Sequence, residues 1–319
     1  MTPPPPADRM NDRAGNAFLL PGQGSQYVGM GSDLAEGLPI VRQIYERADE
    51  LLDLPLSKIC REGPEDRLRR TENAQPAILV HSYAVWRALP EKVRQGAAAA
   101  AGHSLGEFSA YLIADAITFD DALRIVRRRG ELMAEAGREQ PGTMSAVIGL
   151  EADLVADVCR ETAGTVVPAN YNAPGQVVIS GEVEAVATAG EMLREAGARR
   201  VVPLNVSGAF HSPLMESARQ ELEEMLAGTE IADPVFPVVA NVSAEPVETG
   251  LRARELLVSQ LTGAVRWSDG ILQIGRLGIS SFMEIGPGSV LTGLLRRIDR
   301  GLQGRAVGDL EALLALAVA

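Results

Sequence analysis

The most reactive candidate in this chain is a serine between two glycines. The pentapeptide Gly102-His103-Ser104-Leu105-Gly106 has the G-x-S-x-G pattern and follows the apolar run 97–101. A serine in this pattern commonly sits on a sharp strand-to-helix turn, with its hydroxyl exposed and backbone amides near enough to stabilise an oxyanion. The same letters also occur in ordinary glycine-flanked turns, so the pentapeptide alone leaves both interpretations open.

A serine hydroxyl needs a general base at neutral pH, and histidine is the residue type that most often supplies one. The chain has three histidines, His81, His103 and His211. His103 adjoins Ser104 and is expected to pack within the turn, while His81 lies in an apolar helical run that favours a core position. His211 lies in a loop after a strand-like segment, where catalytic groups concentrate. By elimination, His211 is the predicted base.

The elements that must position these residues follow two patterns. Short apolar runs alternate with amphipathic stretches, which predicts a parallel sheet flanked by helices, with strands at 17–20, 97–101 and 280–285. Between residues 142 and 206 the order becomes βαββαβ, which is typical of ferredoxin-like units. The sequence therefore predicts an α/β protein with a parallel-sheet, α/β-hydrolase-like core, an inserted ferredoxin-like small domain and an active site between the two lobes.

The predicted boundaries are a disordered tail at 1–16 containing the tract Pro3–Pro6, a large domain at 17–138 and 206–319, and a small domain at 139–205. A formal net charge of −12 argues against general binding to nucleic acid or to an anionic membrane. Two cysteines, Cys60 and Cys159, predict unpaired thiols in a reducing compartment. No apolar run has the length of a membrane span and no signal peptide is expected, so a cytoplasmic protein is predicted.

A second glycine-rich turn follows the first predicted strand, at Pro21-Gly22-Gln23-Gly24-Ser25-Gln26. A dinucleotide fingerprint beginning at Gly22 would need a third glycine where Tyr27 stands, so that interpretation fails. On spacing alone, a plain tight turn is a better interpretation than a loop that lends an amide to an oxyanion hole.

Taken together, the motifs resemble those of the malonyl-CoA:acyl carrier protein transacylases, in that family's order from about Ala17 to about Arg297. The segments that carry the resemblance are Pro21-Gly22-Gln23-Gly24-Ser25-Gln26, Gly102-His103-Ser104-Leu105-Gly106-Glu107, Arg127-Arg128-Arg129-Gly130, Asn170-Tyr171-Asn172-Ala173-Pro174-Gly175-Gln176, Ala209-Phe210-His211-Ser212-Pro213 and Glu284-Ile285-Gly286-Pro287-Gly288. The resemblance implies an acyltransferase of fatty acid biosynthesis that moves malonyl from malonyl-CoA to the pantetheine thiol of acyl carrier protein by a ping-pong route. The resemblance implies neither a metal nor a cofactor, and malonyl-CoA takes part as a substrate.

The resemblance also implies roles for individual residues. Ser104 would carry the malonyl ester, His211 would act as its base, and Gln260 would orient His211, largely through its main-chain carbonyl. The backbone amides of Gln23 and Leu105 would form the oxyanion hole, which replaces the plain-turn interpretation of the first loop. Without the resemblance, Gln260 would be taken for a surface helix residue.

Substrate binding is assigned in the same way. Arg129 would grip the malonyl carboxylate with two parallel hydrogen bonds, although an arginine in a run of three on a helix would otherwise be taken for a solvated charge. Phe210, beside His211, matches the malonyl-selective pattern, since its ring would occupy the room of an α-methyl group. Asn170 and Asn172 would bind the acyl or pantetheine portion, but turn chemistry before Pro174-Gly175 explains these asparagines equally well.

The implied partners are malonyl-CoA and acyl carrier protein, with no nucleic acid and no membrane, and a monomer is expected. Because the chain is acidic overall, docking of an acidic carrier protein is assigned to local arginines: the small-domain arginine pair (Arg199, Arg200) or the C-terminal arginine cluster (Arg296, Arg297, Arg300). Scattered solvated arginines explain them equally well. Three alternatives stay open: a trans-acting acyltransferase of a polyketide pathway, a serine hydrolase, and a catalytically silent carrier-protein binding module.

Overall fold

The computed structural model describes residues 15–317. The predicted tail therefore lies outside the described residues except at its end, where Asn16 forms the first position of a strand and pairs with Ala97 and Ser281. The sheet thus includes a residue that the sequence assigned to the tail.

The described residues form ten strands and fifteen α-helices, together with a short 3-10 helix at Pro213–Met215. The strands are β1 (Asn16–Leu20), β2 (Ala97–Gly102), β3 (Gly142–Ile148), β4 (Val166–Ala173), β5 (Gln176–Glu182), β6 (Arg200–Pro203), β7 (Val238–Val239), β8 (Pro246–Val247), β9 (Ser281–Ile285) and β10 (Gln303–Val307). The helices are α1 (Ser32–Gly37), α2 (Pro39–Leu52), α3 (Leu56–Glu62), α4 (Glu65–Arg69), α5 (Thr71–Ala88), α6 (Glu91–Gln95), α7 (Leu105–Ile113), α8 (Phe119–Glu139), α9 (Ala152–Glu161), α10 (Val183–Glu195), α11 (Glu216–Ala227), α12 (Gly250–Ser259), α13 (Trp267–Arg276), α14 (Val290–Ile298) and α15 (Leu310–Ala317).

The larger sheet has the strand order β10-β9-β1-β2-β7-β8. Its first five strands pair in parallel and β8 pairs antiparallel with β7. Because parallel strands end at one edge of a sheet, the loops that follow β1, β2, β7 and β9 converge there. That edge receives the Gln23 loop, the Ser104 turn and the segment after β7.

The central strands of this sheet are buried on both faces. In β1, Phe18 and Leu20 pack into the core beneath α5 and α7, while Ala17 and Leu19 pack on the opposite face with α13 and α14. The alanines of β2 divide between the same two cores, so small side chains suit a strand that has helices close on both sides.

A separate four-stranded sheet has the order β4-β5-β3-β6, and its strands pair antiparallel. The strand-helix order predicted for residues 142–206 is confirmed, with boundaries that differ by a few residues. A bridge from Asn170 to Val265 and a 2.6 Å hydrogen bond from Arg297 Nη1 to Gln176 Oε1 connect this unit to the rest of the chain. The chain is thus a mixed α/β protein with one largely parallel sheet and one antiparallel sheet. No helix within residues 15–317 combines the length and the apolar character that crossing a membrane requires.

Candidate active site

Ser104 occupies a strained turn between β2 and α7. Its φ of 52° and ψ of −110° lie outside the regions that most side chains adopt. The flanking glycines explain how the chain makes this turn. A Cβ on Gly102 would lie 1.8 Å from the backbone carbon of Gly106, and a Cβ on Gly106 would lie 2.0 Å from the carbonyl oxygen of Leu20. Strand and helix therefore pass too closely for any side chain at either position.

His211 lies against the serine hydroxyl. Its Nε2 is 2.7 Å from Ser104 Oγ, and its Nδ1 donates to the main-chain carbonyl oxygens of Gln260 at 2.9 Å and Gly263 at 3.2 Å. Two carbonyl acceptors at Nδ1 leave Nε2 free to accept the serine proton. Burial and the nearby Arg129 guanidinium lower the pKa of His211 to about 3, so the imidazole is neutral near pH 7.

The other two histidines have other partners. His81 is buried in α5 between the Tyr45 hydroxyl and the carbonyl oxygen of Gly308, which confirms its predicted core position. His103 differs from the expectation of packing only within the turn. Its Nε2 lies 2.8 Å from Asn172 Oδ1 on β4, and its ring centroid is 5.5 Å from that of Trp267.

Arg129 is buried beside Ser104, with 1% of its surface exposed, so the interpretation as a solvated helix charge is wrong. From α8, Nη2 lies 3.2 Å from Ser104 Oγ, and the guanidinium lies over the Phe108 ring. Nη1 donates to Gln75 Oε1 at 2.6 Å and Nη2 to Gln260 Oε1 at 2.9 Å. Within residues 15–317 no carboxylate forms an ion pair with it. Burial lowers its pKa to about 10, which still leaves it charged near neutral pH.

Gln260 connects the base, the nucleophile and the arginine. It is fully buried at the end of α12, so the surface-helix interpretation is wrong. Its main-chain carbonyl accepts from His211, its Oε1 accepts from Arg129, and its Nε2 donates to the carbonyl oxygen of Ser104 at 2.9 Å and to Glu107 Oε2 at 2.7 Å. One glutamine therefore links the three groups that the sequence assigned to catalysis and substrate binding.

Three polar residues of this network escaped the sequence analysis as site residues: Gln75, Glu107 and Asn241. Asn241, just after β7, accepts from the Ser104 amide with Oδ1 and donates to the Gly102 carbonyl with Nδ2, both at 2.7 Å. All three are buried. Their signal in the sequence was a polar residue inside or beside an apolar segment, which has too many structural explanations to single out a site.

The remaining predicted residues have the following positions. The backbone amides of Gln23 and Leu105 donate no hydrogen bond to another group of residues 15–317, while the Gln23 side chain donates to Thr71 Oγ1 at 3.2 Å. Phe210 is buried beside His211. Asn170 is buried on β4 where β4 meets Val265. In the described part of the chain, no group of three or more His, Cys, Asp or Glu residues could hold a metal ion.

Comparison with known proteins shows which family this chain belongs to. The sequence model of the acyl transferase domain family matches residues 17–309. The chain is 43% identical over 303 residues to the malonyl CoA-acyl carrier protein transacylase of Bacillus subtilis (strain 168), covering 93% of this chain and 94% of the relative. It is 42% identical over 301 residues to the malonyl CoA-acyl carrier protein transacylase of Escherichia coli (strain K12), covering 94% of this chain and 97% of that relative. A solved malonyl-transacylase in complex with a type II polyketide-synthase acyl carrier protein matches with a TM-score of 0.92 and 43% identity, over 95% of this chain and 99% of that one.

Proposed function

The chain belongs to the acyl transferase domain family, and from that premise we propose that it transfers malonyl from malonyl-CoA to acyl carrier protein in fatty acid synthesis. The observation that carries the choice of acyl group is Arg129. A buried guanidinium that has no carboxylate partner among residues 15–317 and lies 3.2 Å from the serine oxygen is suited to an acyl group with its own carboxylate.

In the first half-reaction, His211 Nε2 takes the proton from Ser104 Oγ as the oxygen attacks the thioester carbonyl carbon of malonyl-CoA. The carbon–sulfur bond then breaks, and the proton on Nε2 passes to the departing thiolate of CoA. A malonyl ester on Ser104 remains. In the second half-reaction, the pantetheine thiol of acyl carrier protein gives its proton to Nε2 and attacks the ester carbonyl. The bond to Ser104 breaks and Oγ regains the proton.

The tetrahedral intermediate of each half-reaction carries a negative oxygen that must be stabilised. We assign that role to the backbone amides of Gln23 and Leu105, which are free of protein acceptors within residues 15–317. The loop after β1 and the start of α7 reach the same edge of the sheet, which supports a joint oxyanion hole. The main-chain carbonyl of Gln260 orients the base by accepting a hydrogen bond from His211 Nδ1, which takes the place of the acidic residue in a catalytic triad.

The acyl pocket includes Phe210 and Asn170 in this proposal. The Phe210 ring, buried beside the base, takes the room that an α-methyl group would need, which favours malonyl over methylmalonyl. Asn172 is held by His103, so its contribution is to position the second sheet beside the Ser104 turn. The proposed division is an α/β-hydrolase-like large domain (17–138 and 206–319) and a ferredoxin-like small domain (139–205), with the acyl group between them.

Acyl carrier protein docking is assigned to the two arginine groups together. The backbone and Cβ of Arg199 lie against Gly149, which bonds to Gly175 in the β4–β5 turn. Arg297 donates to Gln176 beside the same turn. One arginine of each group, Arg199 and Arg297, therefore lies beside the β4–β5 turn, and an acidic partner that covers this turn would meet both groups.

The experiment is intact-mass spectrometry after mixing the protein with malonyl-CoA, alone and with carrier protein. We expect a malonyl adduct that is absent in Ser104→Ala, present in the matched control Ser109→Ala one turn later on α7, and transferred to the carrier. Failure of the wild-type chain to form an adduct would refute the reaction class. Rapid release of free malonate without a carrier would indicate a hydrolase.

A second candidate is malonyl transfer to a carrier protein of polyketide synthesis, favoured by the similarity to a malonyl-transacylase solved with such a carrier. The same assay run with a fatty acid carrier and a polyketide carrier distinguishes the two. Preferential transfer to the polyketide carrier would replace the fatty acid assignment while leaving the chemistry at Ser104 unchanged.

A further inference from the structure

Glu107 is a buried carboxyl group that the reaction described above does not use. It lies three residues after Ser104 in the first turn of α7, has no exposed surface, and forms no ion pair with any described residue. Burial raises its pKa to about 7. Such a group is costly to keep in a core without a compensating role.

Helix capping does not account for Glu107. A glutamate at the third helical position commonly reaches back to the backbone N–H of the capping residue, here Ser104. In this chain that N–H already donates to Asn241 Oδ1. The Glu107 carboxylate turns elsewhere: its Oε2 accepts from Gln260 Nε2 at 2.7 Å and from the backbone N–H of Asn241 at 3.2 Å.

These two bonds fix side chains that hold the reacting groups. Gln260 Nε2 donates to both Glu107 and the Ser104 carbonyl, so Oε1 must face Arg129, from which it accepts. A flipped amide would place an NH₂ group against the guanidinium and leave Oε2 of Glu107 facing a carbonyl oxygen. Asn241, held by its own backbone N–H, keeps Oδ1 on the Ser104 amide.

We propose that Glu107 is a positioning residue for malonyl transfer: by accepting from Gln260 and Asn241, it sets the orientation of Arg129 and of the Ser104 turn. This inference rests on the proposed malonyl transfer. It assigns to Glu107 no contact with the substrate, only control of the amide that faces the carboxylate-binding arginine.

The test compares acylation rates with malonyl-CoA and acetyl-CoA in three variants, each corrected for the amount of folded protein. Glu107→Leu removes the acceptor, Glu107→Gln keeps a carbonyl oxygen that can replace Oε2, and Glu107→Asp withdraws the carboxylate by about 1.5 Å. The matched control is Glu284→Leu. Glu284 is likewise buried and accepts backbone N–H groups, from Leu291 and Thr292, far along the chain from the turn.

We expect Glu107→Leu and Glu107→Asp to lower the malonyl-to-acetyl rate ratio by about tenfold, since two buried donors lose their acceptor and Gln260 can turn. Glu107→Gln should recover most of the ratio, and Glu284→Leu should lower thermal stability with the ratio unchanged. If Glu107→Leu does not fold, the malonyl-to-acetyl rate ratio of Glu107→Asp serves as the test. A wild-type ratio in the folded variant would overturn the role of Glu107. Absence of the wild-type malonyl adduct would instead refute the proposed function, so the two failures are distinguishable.

Discussion

Replacing Arg129 is the most direct test of malonyl recognition. In Arg129→Ala the malonyl carboxylate would enter a buried site without its cation. Removing one member of a buried, hydrogen-bonded charge pair costs about 2 to 5 kcal/mol, which corresponds to a loss of roughly 30-fold to 5,000-fold in kcat/KM for malonyl-CoA. Acetyl-CoA has no carboxylate, so its kcat/KM should stay level or rise once the buried cation is gone.

The ratio of the two kcat/KM values is the quantity to measure. Removing the large Arg129 side chain also leaves a cavity and unpairs Gln75 and Gln260, but both substrates meet those changes equally, so the ratio largely cancels them. Arg129→Lys should lie between the wild type and Arg129→Ala, because an ammonium keeps the charge without the two-pronged geometry.

The neighbouring Arg128 provides the matched control. It lies on the same helix, but its guanidinium is partly exposed and pairs with Glu221 at 2.8 Å. Arg128→Ala should leave the malonyl-to-acetyl ratio unchanged. An unchanged ratio in Arg129→Ala as well would refute the assignment of Arg129 to the malonyl carboxylate.

Three further outcomes are expected. Gly106→Ala should lower the melting temperature and abolish acylation, because its Cβ would lie 2.0 Å from the Leu20 carbonyl oxygen. Gly293→Ala in α14 should change neither, because an added Cβ there would meet no described atom within 4 Å outside its own stretch of helix. Equal behaviour of the two variants would contradict the close-packed turn. Burial lowers the pKa of His81 from 6.5 to about 4. Between pH 7 and pH 5 the unfolded chain therefore binds more protons at His81 than the folded chain does. The contribution of His81 to the free energy of unfolding should fall by about 2 kcal/mol over that pH range. In denaturant unfolding, the free energy of unfolding of His81→Gln should fall by about 2 kcal/mol less between pH 7 and pH 5 than that of the wild type. An equal fall in both proteins would refute this role of His81. Replacing the small-domain arginine pair or the C-terminal arginine cluster by alanine should raise KM for carrier protein and weaken its salt dependence without altering KM for malonyl-CoA; unchanged carrier kinetics in both variants would exclude this docking surface.

Much of the fold followed from local sequence. Short apolar runs placed β1, β2 and β9 within a residue or two of where they lie, and the βαββαβ order of residues 142–206 is confirmed. These features depend on contacts between residues a few positions apart, so the sequence displays them directly.

The site shows where local sequence stops being informative. Ser104 and His211 were predictable because a G-x-S-x-G turn and a loop histidine are chemically distinctive types. Gln260 and Arg129 looked like surface residues without the family resemblance, yet both are fully or almost fully buried.

By itself, then, the sequence determined the strand-to-helix turn that exposes Ser104, because the two glycines are needed by the local backbone. Only the tertiary structure decided which side chains surround that turn. Glu107, Arg129, Asn241 and Gln260 come from separate helices and from the segment after β7, and hydrogen bonds join residues that are up to 156 positions apart. A polar side chain acquires its role from the desolvated partners that packing places beside it, and those partners are not its neighbours along the chain.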